Sequence, residues 1–367
     1  MPDGHGDLKQ YRTVLDRIAA RDCCAILVDF TDTNSLQQGR PARNEGYGHG
    51  VQLPETHETR VKRASWPNGT LGPPVITHLL NLGVALTLLT RHPDTTAQHY
   101  PPPIQVLQTD YTSVDQLTAT LRQAGGDGGS GGVDSLVILI NRDELESQIR
   151  LIDAAIAAGV PHIVPSSFGI DSSSPEVSAL PQIRAKMEME RYLVGKAEAG
   201  LVSYTGVNTG LFFDWGLEVP GIPVNLKGGP TFRADGGDVA LSVSTLDLIG
   251  RAVAQAVLQR EEARNRFLYV HSAAVTQNQL LRYAREVAPE RVFAVVEVDT
   301  EKAVAEAEEK IRQGATGPRV AMPMMMRVSF GLGLGLFKKV DNAFLGLEVM
   351  TEEDIKALVA KYVKKEG

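Results

Sequence analysis

An α/β chain built on a doubly wound parallel sheet, followed by a smaller mixed α/β region, is the fold that this sequence predicts. Three observations predict it. Between about residues 69 and 208, apolar runs of strand length alternate with amphipathic runs at helical spacing. The run 133–140 is nearly all apolar, as a strand buried on both faces should be. Gly69 and Gly72 stand just before an apolar helical pattern, where glycines would let the backbone approach a bound phosphate.

Taken in order, Leu8, Tyr11, Leu15 and Ile18 recur at helical spacing, and 24–30 is the best strand of the first third. A rival first strand is 11–15, if the residues after it are foreign to the fold. The stretch 31–65 is polar, lacks periodicity and is longer than a normal βα turn, so it is expected to stay unstructured. A helix then begins at Pro73, where the missing N–H is an orphan in any case. Strands follow at 84–89 and 104–108, the second ending near Asp110. Val114, Leu117 and Leu121 mark a helix, and the glycine-rich run 125–132 is a tether. After the strand at 133–140, Leu145, Ile149, Ile152 and Ile156 form a helix stopped by Gly159. The fifth strand is 162–165, followed by a helix over about 182–199 and a strand at 201–207. Beyond Thr209 the chain is Gly/Pro-rich and aromatic, with 242–259 returning as a strand and a helix against the core.

With 367 residues, 43% of them apolar and 22% charged, the chain can bury a large core. Its net charge of -7 argues against nucleic acid or an anionic membrane as the main partner. The two cysteines, Cys23 and Cys24, are adjacent and give neither a disulfide framework nor metal-ligand spacing. His78 and His162 sit among apolar neighbours with no third ligand at metal spacing, so no metal is expected. The N-terminus lacks the basic and apolar regions of a signal peptide, and the apolar window 322–337 contains Arg327 and is too short to span a bilayer. A cytoplasmic protein is the expectation. Gly331-x-Gly333-x-Gly335 has no strand before it in the required way and reads as packing or a turn.

In a doubly wound sheet the ligand lies beyond the carboxyl ends of the strands. Those ends carry Asn68-Gly69-Thr70-Leu71-Gly72, then Arg91, Asp110, Asn141 and the turn Pro165-Ser166-Ser167-Phe168-Gly169. Together with Leu89-Thr90-Arg91, Thr109-Asp110-Tyr111, the helix 151–160 and Thr209-Gly210-Leu211-Phe212-Phe213-Asp214-Trp215-Gly216, this series resembles the NmrA-like, isoflavone-reductase-like family of atypical short-chain dehydrogenases. The likeness runs in order over about 69–300.

The resemblance implies a Rossmann domain that binds NADP, as NADPH, and a reductase acting on a small-molecule substrate. The implied division is an N-terminal extension at 1–23, an NAD(P)-binding domain at 24–208 interrupted by 31–65, and a substrate-side region at 209–367 partly packed on the core. Gly69 and Gly72, flanked by Asn68, Thr70 and Leu71, would hold the pyrophosphate. Arg91 would meet the 2′-phosphate and Asp110 the adenine. Asn141, Ser166 and Phe168 complete the implied cofactor set. Ser167, Phe212, Phe213 and Trp215 fall on the substrate side, where the aromatic residues would favour an apolar or aromatic ligand. Lys186 matches the family's catalytic acid/base lysine.

Alternatives remain beside these assignments. Asp110 is also a plausible turn residue, and Lys186 could be a helix lysine paired with Glu190 four residues on. Tyr192-x-x-x-Lys196 has the spacing of a tyrosine acid beside a lysine. Two departures from the family pattern stand out. Trp66-Pro67-Asn68 replaces the usual Gly-Ala-Ser or Gly-Ala-Thr opening of the glycine loop, as though a foreign segment interrupted the seam after the first strand, and Ser167 stands where glutamate is more common. A redox-sensing regulator that binds NAD(P) without turnover and acts through a protein partner is the second function class. A form inactivated by the insertion is the third.

Overall fold

The computed structural model describes residues 25–30, 69–100, 104–125, 132–141, 144–218 and 224–364. The rival strand at 11–15, the stretch 31–65, Asn68 and most of the tether 125–132 lie outside the described residues. The chain builds β1 (Ala25–Asp29), α1 (Gly72–Leu80), β2 (Ala85–Thr90), α2 (Pro93–His99), β3 (Gln105–Gln108), α3 (Val114–Ala124), β4 (Ser135–Ile138), α4 (Leu145–Ala158) and β5 (His162–Val164). A short helix α5 (Pro175–Ser178) leads to α6 (Arg184–Glu198) and β6 (Ser203–Asn208). The remainder contains β7 (Leu211–Phe212), α7 (Phe213–Glu218), β8 (Thr231–Ala234), β9 (Leu241–Ser244), α8 (Leu246–Leu258), β10 (Arg266–Tyr269), β11 (Ala273–Val275), α9 (Gln277–Val287), β12 (Val295–Val298), α10 (Thr300–Arg312), α11 (Pro318–Met326) and α12 (Glu352–Val363).

Seven strands form the main sheet in the order β10-β6-β5-β4-β1-β2-β3. Pairs β2–β3, β4–β5, β5–β6 and β6–β10 are parallel. The strand between β2 and β4 departs from the expected all-parallel arrangement: β1 runs antiparallel to both neighbours, with Ala25 opposite Leu89 and Ile138. The cause is physical. Side-chain alternation assigns Ala25 and Leu27 to one face and Ile26 and Val28 to the other, and both faces bury them. A strand apolar on both faces satisfies burial in either direction. Polarity is normally imposed by a short crossover, and here the long run 31–68 separates β1 from the glycine turn.

The reversed strand is anchored at its carboxyl end. Phe30 N–H donates to Asp134 Oδ2 at 2.8 Å, and Asp134 N–H donates to Val28 O at 2.9 Å, tying that end to the start of β4. Arg260 completes the corner, stacked 4.6 Å from the Phe30 ring centroid and 3.4 Å from Asp134.

On one face of the sheet α3, α4 and α6 bury Leu117, Leu121, Leu151, Ile152, Met189 and Leu193; on the other, α1 and α8 bury Val75, Ile76, Leu79, Val253 and Val257. Close approach of α1 and α8 requires Gly250, because a Cβ there would lie 2.6 Å from Pro74 O. A second core, around Phe213, Leu241, Val243, Tyr283 and Val359, unites the three-stranded sheet β11-β9-β7 with α9 and α12. The Gly331–Gly335 run is packed: a Cβ at Gly331 would meet Thr300 Oγ1 at 2.5 Å, and one at Gly335 would meet Ser329 O at 3.2 Å. Among the described residues no helix is long and apolar enough to cross a membrane.

Candidate functional site at the carboxyl edge of the sheet

Gly69 takes a φ of 67°, a left-handed conformation that favours glycine, and Gly72 opens α1. Val75 N–H makes the first ladder bond, to Leu71 O at 3.2 Å, while Pro73 and Pro74 have no N–H to place. The N–H groups of Leu71 and Gly72 therefore lie ahead of the helix ladder, at its positive dipole end. This arrangement suits an anion.

Arg91 follows directly on β2. Its guanidinium donates through Nη1 to Glu144 Oε1 at 3.3 Å and through Nη2 to Glu144 Oε2, and it lies 5.3 Å from the Tyr111 ring centroid. Asp110 closes a local turn, accepting from Thr112 N–H at 2.9 Å and Thr112 Oγ1 at 2.8 Å. These two bonds, with a smaller contribution from Arg91, hold its exposed carboxyl below the usual range. Asn141 O accepts from Glu144 N–H at 2.9 Å and from the Gln148 side chain at 3.1 Å, which shapes the turn from β4 into α4.

A second polar cluster sits where β5 and β6 end. Lys186, only 3% exposed, donates from Nζ to Ile170 O at 2.8 Å and to Asn208 Oδ1 at 3.0 Å, and lies 3.7 Å from Glu190 Oε1. The turns after these strands are stitched together by Gly169 N–H to Thr209 Oγ1 (3.0 Å), Thr209 N–H to Gly169 O (3.0 Å) and Gly210 N–H to Gly169 O (2.9 Å). Asn208 and Glu190 border a cavity of about 420 Å³, which also has Asp171, Arg191, Phe267 and Tyr269 on its wall. Burial, with Asp171 beside it, pushes the Tyr269 hydroxyl up to about 12. Its O–H donates to Asp171 Oδ1 at 3.3 Å.

The remaining expected site residues are distributed differently. Ser166 and Phe168 are half-buried, and Phe168 packs on the apolar clusters of α8. Ser167 is fully buried with its Oγ unpartnered, and Phe213 is fully buried in the second core. Phe212 and Trp215 are half-buried, and none of these four lines the cavity. Tyr192 O–H donates to Asp153 Oδ1 at 2.5 Å, and Lys196 Nζ stands 3.1 Å from the same carboxylate. Burial and that bond raise the Tyr192 hydroxyl, the opposite of an activated tyrosine acid.

Asn208, Tyr269 and Glu144 are absent from the sequence-based reading of the site. Asn208 ends a strand immediately before Thr209-Gly210, and that position was the available signal. For Glu144 and Tyr269 the sequence offers none. Among the described residues no group of three or more His, Cys, Asp or Glu could hold a metal ion.

A profile of the NmrA-like family matches residues 67–314. The chain belongs to that family. It is 28% identical over 237 residues to the oxidoreductase aprR of Aspergillus flavus, covering 63% of this chain and 78% of the relative. It is 25% identical over 256 residues to the oxidoreductase poxI of Penicillium oxalicum, covering 68% and 76%. This member of the NmrA-like family is an oxidoreductase. In fold it is similar to a solved isoflavone reductase (TM-score 0.63, 16% identity, 81% of this chain and 96% of the other) and to AtPrR2 solved with NADP+ and (+)pinoresinol (TM-score 0.64, 16% identity, 80% and 96%). An NADPH-dependent quinone oxidoreductase from Escherichia coli shares the fold with a TM-score of 0.58 at 22% identity, covering 79% of this chain and 96% of the other.

Proposed function

We propose that the protein is an NADPH-dependent reductase that passes hydride to a small aromatic or unsaturated substrate, with Lys186 supplying or relaying the proton. The observation that carries this reading is the sharing of one sheet edge by the N-terminus of α1, the Arg91 cation and the buried Lys186 ammonium. The residues present fit a phosphate-bearing dinucleotide. Leu71 and Gly72 N–H groups would receive the pyrophosphate, Arg91 the 2′-phosphate, and Asp110 the adenosine end. When bound, the nicotinamide would supply the hydride.

The protein's share of the chemistry is orientation and proton handling. Ile170 O and Asn208 Oδ1 hold the buried Lys186 ammonium behind Asn208, which lines the cavity, so its proton would be delivered from a fixed point. Asn208 Oδ1 is the partner that a substrate oxygen would replace, because Asn208 also faces the cavity. The aromatic surfaces of Phe267 and Tyr269 suit a planar, unsaturated substrate. The assignment of 24–208 as the cofactor domain and of 209–367 as the substrate-side region belongs to the same proposal.

A second reading rests on β1. Its reversed direction means that the glycine turn does not issue from the carboxyl end of the central strand, and this favours a form with impaired dinucleotide binding. Titration with NADPH, NADH and their oxidised forms, followed by nicotinamide fluorescence, separates the two. Saturable NADPH binding with turnover of an enone, quinone or aromatic carbonyl is expected, whereas absence of binding would sink the reductase.

A further inference from the structure

We infer that Glu144 is a specificity-determining residue that competes with the 2′-phosphate of the dinucleotide for Arg91, so that a carboxylate supplied by the protein's own chain sets how strongly NADPH is preferred over NADH. The inference rests on the proposed cofactor reading and adds to it a residue with a role opposite in sign to that of Arg91. Arg91 ends β2 and Glu144 immediately precedes α4, beyond the end of β4, so their ion pair spans the crevice across the position of β1. Both side chains are close to 30% exposed, at 30% and 31%, which leaves the pair open to an incoming anion.

The geometry is that of a bidentate clamp, with one guanidinium nitrogen on each carboxylate oxygen. A phosphate would use the same fork of donors, so the two anions are alternatives at the guanidinium. The cation itself is held in place independently of Glu144. Tyr111 lies beneath it at 5.3 Å, fully buried, with its O–H donating to Leu89 O at 2.7 Å. Its backbone φ of 61° is unusual for a bulky residue and is the kind of conformation that persists only where the surroundings enforce it. The tyrosine is thus a fixed platform on which the guanidinium can remain while its anionic partner changes. The Glu144 side chain makes no cap bond to α4.

NADH carries no group that needs Arg91, so it binds beside an intact Arg91–Glu144 pair. NADPH must displace Glu144 or share the cation with it, and its affinity is lowered by the strength of that pair. The test is a double-mutant cycle of Glu144→Gln and Arg91→Ala, with NADPH, NADH and 2′,5′-ADP binding measured by calorimetry and melting temperature recorded with and without ligand. Glutamine keeps the shape and removes the charge. The expected result is NADPH and 2′,5′-ADP binding about three- to tenfold tighter in Glu144→Gln, NADH changed by less than about twofold, and the gain lost when Arg91 is also alanine. An equal gain for NADH, or one that persists without Arg91, would overturn the inference and make Glu144 a general source of repulsion. Unchanged NADPH binding in a Glu144→Gln protein that melts like the parent would also overturn it. If the parent protein binds NADPH but Arg91→Ala binds it equally well, the Arg91 reading fails first; if the parent binds no dinucleotide and no 2′,5′-ADP, the cofactor reading fails and takes the inference with it.

Discussion

Arg91 and Lys186 are two cations on one sheet edge that are held in opposite ways. Arg91 is about a third exposed, stacked on a ring and paired with the Glu144 carboxylate, whereas Lys186 is 3% exposed and held by a backbone carbonyl and an amide with a carboxylate close by. The difference teaches what each can do. An exposed, bidentate pair can trade its anion for a ligand's at small net cost, because water screens both states. A buried ammonium cannot lose partners without leaving charge uncompensated, so it suits a fixed role in orienting or delivering a proton.

The strongest way to break this comparison is Lys186→Met. Turnover of the reduced substrate should fall about 10²- to 10⁴-fold if the ammonium handles the proton. The same change leaves Glu190 and Asn208 short of a partner, so urea unfolding should also show a loss on the order of 3 kcal/mol. Turnover must therefore be measured per folded, cofactor-binding molecule. A variant that loses stability alone, with kcat unchanged, would reduce Lys186 to a structural tie between the turns after β5 and β6.

His162 sharpens the comparison from the side of a buried nitrogen held by hydroxyls. Its ring lies between Ser135 Oγ at 2.9 Å and Thr205 Oγ1 at 3.0 Å, and burial pushes its pKa down from 6.5 to about 3. Below pH 6.5 the unfolded chain takes up a proton there that the folded chain refuses until about pH 3. Stability should fall with pH across that window by about 1.4 kcal/mol per unit, or about 2 kcal/mol between pH 6.5 and pH 5. His162→Gln should lose that part of the slope. An unchanged slope in urea unfolding at the two pH values would mean that the imidazole is protonated in the folded protein.

Arg91→Ala comes next in size. NADPH should bind about 10- to 100-fold more weakly, with NADH nearly unchanged; equal effects on the two would show that Arg91 does not face the 2′-phosphate. The smallest effect is expected at Tyr192→Phe. The hydroxyl bonded to Asp153 contributes about 1 kcal/mol to stability and nothing to chemistry, so turnover should stay within about twofold. Loss of activity in that variant, with Lys186→Met still active, would hand the proton to the Tyr192–Lys196 pair.

Much of the fold was legible because its signals are periodic. The run 133–140 announced a strand buried on both faces, and Leu145, Ile149, Ile152 and Ile156 announced α4 with its stop at Gly159, where φ is 82°. The direction of β1 was not legible. Alternation encodes which face a side chain occupies, and Ala25 to Val28 are apolar throughout, so only the connection to the next helix could have encoded polarity. In the site, Lys186 and Glu190 were readable as a pair four residues apart on a helix. Arg91 and Glu144 were not, because they come together only when β2 and β4 are placed on either side of β1. The aromatic residues expected on the substrate side illustrate the same limit: Phe213 and Trp215 stand two apart in sequence, yet one is core and the other half-exposed.

The bare backbone at Gly250 has a mechanical consequence for the Gly69–Gly72 turn. Helix α8, which comes from far along the chain, presses against α1 so closely that a single methyl at 250 would collide with Pro74 O at 2.6 Å and His78 Cδ2 at 2.9 Å. Asp247 on the same helix also grips His78 at 2.8 Å. The turn that opens α1 is therefore braced from behind by a strut belonging to the later half of the molecule. A displacement of that strut would carry α1 and the Gly69–Gly72 turn with it, so the late-synthesised half finishes the support of a turn whose residues emerge from the ribosome much earlier.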